Sequence, residues 1–468
     1  METAKKETEL PGFAEIGRKD VVWNYLATFL RIASSVLLLP AILNKMPAEM
    51  VGVWTVFITI SFLTSLLDFG FNASFTRNVS YVLSGVTDLR VKGYEQAPAG
   101  QPTDYGLLRG LIQAMRWYYR GLGILVAFLL LTIGTWYLHS VLRSYQGDTT
   151  DIYIAWAILI VLNCYSLYTF YYDSLLQGIG YVMRSKQISI AGNASYLVLA
   201  FVLIMLGYGL IAIVSAQLVS VVLIRALSYR LFFTKERAAK LKAATARSSH
   251  ELIRILMPNA VKIGLTSLGG FLISRSSVLI GGLYLTLDEL ASWGITLQLI
   301  GVVATMAGIY TATYQARIVN LRVAGKPDMI QRIYIRGQYL LLLTFAAGAV
   351  AIVWIGPWAL GLIRSETSLM PAVFTLLAVF VSLLETNHAT AGNILLTKNE
   401  VPFFRASLIS GACIVAGLIL GFRFTDLGIY TMVIVPLIVN VAYQSWKWPL
   451  EAHRDLGIKF RDYWRYVK

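Results

Sequence analysis

Long apolar runs constrain this chain more than any other feature. Stretches of about 20 residues dense in Leu, Ile, Val, Ala and Phe recur twelve times, and a helix of that length crosses the hydrocarbon core of a bilayer. Inside that core every backbone group must find its partner within the protein, which restricts such a run to helix. The runs fall at 21–43, 50–70, 121–142, 152–176, 187–206 and 209–233. A second set follows at 257–284, 290–313, 339–360, 371–396, 404–422 and 427–447. Charged residues make up 14% of the 468, against about a quarter in soluble proteins. The sequence therefore predicts an all-α polytopic membrane protein of about 12 transmembrane helices.

The basic residues test that map. Of the 40 Lys and Arg residues, 31 fall in loops and tails on one side of it, and four (Lys45, Arg143, Arg364 and Arg423) fall on the other. This is the positive-inside pattern for an even number of spans with both termini in the cytoplasm. The net charge of +15 thus marks topology, and nucleic acid is not expected as a partner. No small-residue cleavage site follows the first run, so it reads as a retained helix rather than a signal peptide. The organisation expected is a cytoplasmic segment at 1–20, a six-helix bundle at 21–233, a basic cytoplasmic linker at 234–256, a second six-helix bundle at 257–448 and an amphipathic tail at 449–468. The segment from Leu107 to Arg120 is amphipathic too, and is expected on the inner surface ahead of the third span.

The second half repeats the first. At an offset of 240, Glu49 meets Glu289, Arg77 meets Arg317 and Gly85 meets Gly325, while Trp54 and Trp293 fall one residue out of step. Beyond Gly85 the offset drops to 220, aligning Arg116 with Arg336 and Leu175-Leu176 with Leu395-Leu396. The step coincides with a Pro- and Gly-containing loop at 86–105, which reads as an insertion. Two bundles repeated in parallel form the plan of transporters that bind substrate near the midplane and rock about it.

Five cations remain within or at the ends of spans: Arg31, Arg77, Arg225, Lys262 and Arg275. Arg77 lies just past the inner end of span two, and Arg225 is close enough to the inner face to snorkel. Arg31 lies about ten residues into its span, roughly 15 Å deep at ~1.5 Å per residue. An unpaired Arg at that depth costs several kcal/mol, so it should face a wet cavity or an anion. Asn24 shares its polar face. Lys262, with Asn259 one turn before it, occupies the corresponding span of the second half, and Arg275 lies beyond a Gly269-Gly270 hinge. Internal pairing with Asp68, Asp173 or Glu385 is the structural alternative.

Glu385, Asn387 and His388 form a second polar cluster on span ten. Glu385 and His388 share a face, as residues three apart on a helix do. They suit proton or sodium coupling or, equally, a hydrogen-bonded clamp between helices; Asp173 is a further candidate for ion coupling. Asp68, within an Asp-Phe-Gly-Phe-Asn run, reads as structural, pairing with Arg77 or a neighbouring helix, and Arg77 and Arg317 are gate candidates. Tyr165, Tyr168 and Tyr172 share a face of span four, suited to an interfacial belt or to stacking on sugar rings. Cys164 and Cys413 fall in apolar runs and read as core residues. With four His, no metal or nucleotide motif and no large loop bearing acid and base groups, an enzyme is not expected, nor a cofactor or metal.

Four segments carry a family resemblance: NYLATFLRIASSVLLLPAIL from Asn24, MPAEMVGVWTVFITI from Met46, LLDFGFNASFTRNVS from Leu66 and LLQGIGYVMRSKQI from Leu175. With them the chain resembles, over nearly its whole length, the O-antigen repeat-unit flippases of the multidrug/oligosaccharidyl-lipid/polysaccharide exporter superfamily. The resemblance implies a V-shaped fold of two six-helix bundles around a cationic cavity in the bacterial inner membrane. It implies undecaprenyl-pyrophosphate-linked glycan as the substrate, moved from the inner to the outer leaflet by ion-coupled alternating access. Arg31, Lys262 and Arg275 would then face the pyrophosphate and acidic sugars, and polysaccharide polymerase or assembly proteins are implied as partners. Two other readings share these features. One is a cation-coupled multidrug or metabolite exporter of the same superfamily, whose usual cationic substrates sit poorly with three deep cations. The other is a non-flippase component of polysaccharide assembly.

Overall fold

Every regular element among the described residues is a helix, as the bilayer demands of backbone hydrogen bonds. The computed structural model describes residues 18–89, 102–323, 326–398 and 402–467; most of the loop expected to be an insertion, at 86–105, lies outside them. The first half contains α1 (Arg18–Lys45), α2 (Ala48–Leu66), α3 (Phe71–Leu83), α4 (Tyr105–Leu129), α5 (Thr135–Val141), α6 (Thr150–Tyr168), α7 (Tyr171–Gly178), α8 (Val182–Met205) and α9 (Gly209–Phe232). The linker forms α10 (Lys235–Ala243). The second half contains α11 (Ser249–Ser274), α12 (Ser276–Gly281), α13 (Leu287–Val323), α14 (Pro327–Val350), α15 (Gly356–Leu362), α16 (Ala372–Leu396), α17 (Phe404–Phe424), α18 (Thr431–Val439), α19 (Ser445–Leu456) and α20 (Phe460–Val467).

Ten helical segments among the described residues are long and apolar enough to span a membrane. The two remaining positions of the sequence map are α1 and α11–α12, the helices that carry Arg31, Lys262 and Arg275. Phe128, Leu131, Ile133 and Trp136 are each more than 60% exposed; such a surface is untenable in water and is what a lipid-facing helix presents. The chain is a multi-pass membrane protein. Cys413 joins that exposed surface rather than the core, and Cys164 is half-buried.

Among the described residues three membrane helices contain a π turn. Leu130–Gly134 lies between α4 and α5 and Ala351–Ile355 between α14 and α15, 221 positions apart, so the repeat extends to a local backbone irregularity. The third, Asn440–Gln444, lies between α18 and α19. In two of them the carbonyl that opens the turn accepts the backbone amide five residues on and, beside it, that residue's hydroxyl. Thr135 Oγ1 donates to the Leu130 carbonyl at 3.0 Å and Ser445 Oγ to the Asn440 carbonyl at 2.8 Å. In both turns the hydroxyl stands five residues on. Because α4 runs through its π turn into α5, the amphipathic segment 107–120 is the beginning of one long helix, Tyr105–Val141, and not a separate surface helix.

The two halves differ in where their helices break. α2 and α3 are parted at Leu67–Gly70, where Phe69 (φ 49°) and Gly70 (φ 72°) are left-handed; the corresponding α13 is continuous through 37 residues. Phe69 is accommodated because Gly264 stands against it: a Cβ on Gly264 would lie 2.4 Å from the Phe69 Cα. α6 and α7 part at Thr169–Phe170, whereas α16 is continuous, so the expected single tyrosine face is divided between Tyr165 and Tyr168 on α6 and Tyr172 on α7. Conversely, α11 and α12 part at Arg275 (φ −133°, ψ −14°), where α1 is unbroken.

That last break corrects the expected hinge. α11 runs straight through Gly269-Gly270. Gly269 instead permits close packing on α17: a Cβ there would lie 2.9 Å from the Ser407 carbonyl carbon, and one on Gly411 would lie 2.6 Å from the Leu272 Cβ. Small residues at such crossings let backbones approach within a membrane.

The chain divides into two compact units that do not follow the sequence halves: Met1–Lys45, Ile60–His139 and Gln146–Gly264 in the first, and Met46–Thr59, Ser140–Tyr145 and Leu265–Lys468 in the second. In the first unit α8 packs on α1 and α9, α6 on α4 and α9, and α3 on α7. The linker is pinned to α4, with Arg109 donating to the Lys242 and Ala244 carbonyls and Arg247 pairing with Asp104. In the second unit α13 packs on α14 and α16, and α16 on α19. Buried Asp455 of α19 pairs with Arg322 of α13 at 2.7 Å and with Lys398. Thr55 of α2 and Gly294 of α13 touch, a Cβ on Gly294 lying 2.0 Å from Thr55 Oγ1. They stand 239 positions apart, as do Trp54 and Trp293, so equivalent positions of the repeat meet.

Gly269→Leu is expected to lower the melting temperature of the purified protein, at the 1–3 kcal/mol typical of overpacking. Gly270→Leu should leave it unchanged, because nothing lies within 4 Å of a Cβ there. Equal effects of the two substitutions on stability would favour a flexible hinge over a packed crossing.

Candidate substrate and coupling site

In the second unit, the polar centre is built on helix irregularities. Arg275 occupies the break between α11 and α12. Its neighbours Ile273 and Ile280 pack with Ile414 and Leu418 of α17 and with Val435 and Val439 of α18, which ties the break to the helices on either side. The residue after Val439 is Asn440, the first of the π turn. Its buried side chain donates from Nδ2 to Glu385 Oε1 on α16 at 3.2 Å. Glu385 is thereby tied to the helix that packs on the Arg275 break.

This arrangement keeps several acceptors in reserve. Asn440 Oδ1 and Asn387 Oδ1 are buried with no hydrogen-bond partner. His388, one turn beyond Glu385, has its Nδ1 near the Leu384 carbonyl without a well-formed hydrogen bond. The π turn extends the polar line: Gln444 Nε2 donates to Ser410 Oγ at 3.0 Å, and Gln444 Oε1 accepts from Trp448 Nε1. No group of three His, Cys, Asp or Glu among the described residues converges as metal ligands would.

In the first unit Asp173, Arg225 and Asp68 are tied up locally. Asp173 of α7 accepts from Arg225 of α9 at 2.7 Å, and Arg225 is 7% exposed with its guanidinium 5.9 Å from the Phe170 ring centre. Arg225 therefore pairs within the protein instead of snorkelling. Asp68 sits in the turn between α2 and α3, where Oδ1 accepts from Tyr119 of α4 at 2.5 Å and Oδ2 from the Asn72 amide at 3.1 Å. It binds a neighbouring helix and caps α3, and its partner is Tyr119 rather than Arg77. Arg77 is exposed on α3; Arg317 is exposed on α13, 6.0 Å from the Tyr314 ring centre. A cavity of about 70 Å³ between α2 and α6 is lined by Ser61, Thr64, Ser65, Asn163, Ser166, Leu167 and Phe170. In it Thr64 donates to Asn163 Oδ1 at 2.6 Å.

Of the residues singled out from the sequence, Asp68 and Asp173 fall in the first unit and Arg275 and Glu385 in the second. The side chains of Asn24, Arg31, Asn259 and Lys262 lie outside the described set. Lys262 belongs with α1 to the first unit and Arg275 to the second, because the division falls at Gly264. Asn440 and Asn163 were not singled out. The available signal was an isolated amide in an apolar run, which in a membrane must have a partner.

No protein-family description matches the sequence, and no curated protein matches it. Solved structures do match its fold. An inward-facing multidrug resistance MATE family transporter of the MOP superfamily aligns at TM-score 0.58 and 15% identity, over 96% of this chain and 97% of that one. The lipid II flippase MurJ, in an inward closed conformation, aligns at TM-score 0.62 and 11% identity, over 96% and 89%. A MATE transporter in a bent conformation aligns at TM-score 0.52 and 16% identity over 94% of each chain. The chain has the fold of MATE and MurJ-type transporters, which are built from 12 helices in two bundles.

The buried Asp173–Arg225 pair makes a test of its own. Removing one member of such a pair leaves a charge without compensation, at a cost of about 3 kcal/mol, whereas replacing both is close to neutral. Arg225→Met alone should therefore melt at a lower temperature than Arg225→Met with Asp173→Leu. The reverse order would show that the pair does not hold α7 to α9.

Proposed function

We propose that the protein flips undecaprenyl-pyrophosphate-linked oligosaccharide repeat units from the inner to the outer leaflet of the bacterial inner membrane. Both termini lie in the cytoplasm, and the cycle is one of alternating access coupled to a proton or sodium gradient. The observation that carries the reading is Arg275, a cation set at the break between α11 and α12 inside a membrane-spanning segment. An anionic head group cannot enter hydrocarbon unaided, and fixed cations in a polar site replace part of its lost hydration. The sequence puts a further cation in the first span of each half, Arg31 and Lys262, with Asn24 and Asn259 beside them, and we assign these to binding the pyrophosphate and acidic sugars. The fold shared with a flippase of a lipid-linked substrate supports it, as does the sequence resemblance to O-antigen flippases. Glu385 and His388 are the coupling groups, and polysaccharide polymerase or assembly proteins are the partners that take up the product. Exporters of cations share the fold too, and Glu385 is the kind of group they would use. Deletion distinguishes the two: a flippase leaves lipid-linked sugar on the inner leaflet, a drug exporter leaves the cell sensitive to cationic drugs.

Replacing Arg31 and Lys262 together by Ala is expected to reduce surface glycan to the level of the deletion strain, with the protein still present in the membrane at normal abundance. Surface glycan is read by immunoblot and leaflet distribution by lectin access to spheroplasts. Undiminished export by that double variant would refute the cationic-site mechanism.

A further inference from the structure

The N-terminal ends of α2 and α13 meet because Gly52 admits them: a Cβ there would run into the Leu287 carbonyl oxygen. That close approach puts Glu49, in the first turn of α2, and Asp288, in the first turn of α13, beside one pocket. The loop between α15 and α16 completes its wall with Glu366, Thr367 and Ser368, around a volume of about 410 Å³. This loop is held in shape. Ser365 Oγ accepts from the Thr367 amide at 3.1 Å and donates to the Thr367 carbonyl at 2.9 Å. The Met370 amide donates to Thr296 Oγ1 of α13 at 3.3 Å. A helix dipole favours carboxylates at the positions of Glu49 and Asp288, but Glu366 caps no helix.

What the pocket offers is chiefly acceptors. Among the described residues Glu49, Asp288 and Glu366 form no ion pair, although Lys45 and Arg364 stand two positions before Pro47 and Glu366. Thr367 is 3% exposed, and its Oγ1 is buried without a hydrogen-bond partner. Nor do three acidic groups among the described residues converge on one point as metal ligands do. The complement is a molecule with N–H donors and positive charges spaced along it. An ammonium group has three donors and no acceptor, and the volume is that of a small-molecule site rather than of a bare ion.

We propose that this pocket binds an aliphatic polyamine from the surrounding water, its ammonium groups paired with Glu49, Asp288 and Glu366 and one of them donating to Thr367 Oγ1. The site shares no residue with the substrate site proposed above and does not depend on it. A flexible chain suits carboxylates contributed by three separate segments, since its charges need not meet at a point. Bound there, the polyamine ties the start of α2 to the start of α13 and to the loop before α16. It relieves the mutual repulsion of the carboxylates, and so stabilises the close crossing that Gly52 permits.

The test uses full-length protein in phosphatidylcholine nanodiscs and spermidine as the probe, with binding followed by titration calorimetry at fixed ionic strength. Saturable binding is expected, weakened about fivefold by Glu49→Gln and by Glu366→Gln, the loss of one exposed charge pair. Thr367→Val, which keeps the shape and removes the hydroxyl, should weaken it about threefold, the loss of one neutral hydrogen bond. Glu236→Gln, on the exposed linker helix α10, should leave it unchanged. Spermidine should raise the melting temperature of wild type more than that of Glu366→Gln, which shows that the variant is folded and short of ligand. Absence of saturable binding, equal losses in Glu236→Gln and Glu366→Gln, or displacement of spermidine by an equal concentration of magnesium overturns the proposal. Nanodiscs containing phosphatidylethanolamine separate the two sources of ammonium. Unchanged spermidine affinity in them is expected, and lost binding would give the pocket to the lipid head group and overturn the free polyamine.

Discussion

The constraint behind this structure is that a backbone in hydrocarbon has no water to bond with. Continuous helix satisfies every group at no further cost, so each departure from helix must be repaired by a side chain nearby. The repairs are visible. Thr135 and Ser445 each add a hydroxyl to the carbonyl that accepts their own amide across a π turn. Thr169 does the same for Tyr165 where α6 ends, at 2.6 Å. Asp68 caps α3 through the Asn72 amide across the left-handed turn at Phe69 and Gly70. A helix that bears this cost gains something a straight helix lacks, a polar position at membrane depth with its orientation fixed.

The buried charges divide on the same basis. Asp173 and Arg225 meet directly at 2.7 Å and fasten α7 to α9; a pair so close leaves no room for a ligand between its members. Arg275 and Glu385 are held from different directions, the first by a break in its helix and the second by the Asn440 amide.

Much of this was legible in the sequence because it depends on composition over long windows. Apolar run length gave the span map, and ten of its spans are long apolar helices among the described residues. The repeat was detected at offsets of 240 and 220, within a residue of the 239 that separates Trp54 from Trp293 and the 221 that separates the two π turns. What stayed hidden depends on single tertiary contacts. Gly269-Gly270 has the composition of a hinge, yet Ser407 of α17 shows those glycines serving a close crossing, and the break falls at Arg275. Tyr119 lies 51 residues from Asp68, and no local pattern announces it. Asn440 is one amide in a run of Val, Ile and Ala, and its meaning appears only when α16 is placed beside it.

The repeat separates charges set by topology from charges set by chemistry. Arg77 and Arg116 have Arg317 and Arg336 as counterparts, because both halves obey the same positive-inside rule and each needs cations at equivalent ends. The charges near the breaks have no such counterparts. At the repeat offset Asp68 faces Ala307 or Gly308, Asp173 faces Asn393 or Ile394, Arg275 faces Ser35 or Val36, and Glu385 faces Tyr165 or Cys164. These charges occur where the two halves have diverged. Asp68 and Asp173 show one reason: each fastens a helix of the first unit to its neighbour, through Tyr119 and Arg225, a charged contact that the other half does not repeat.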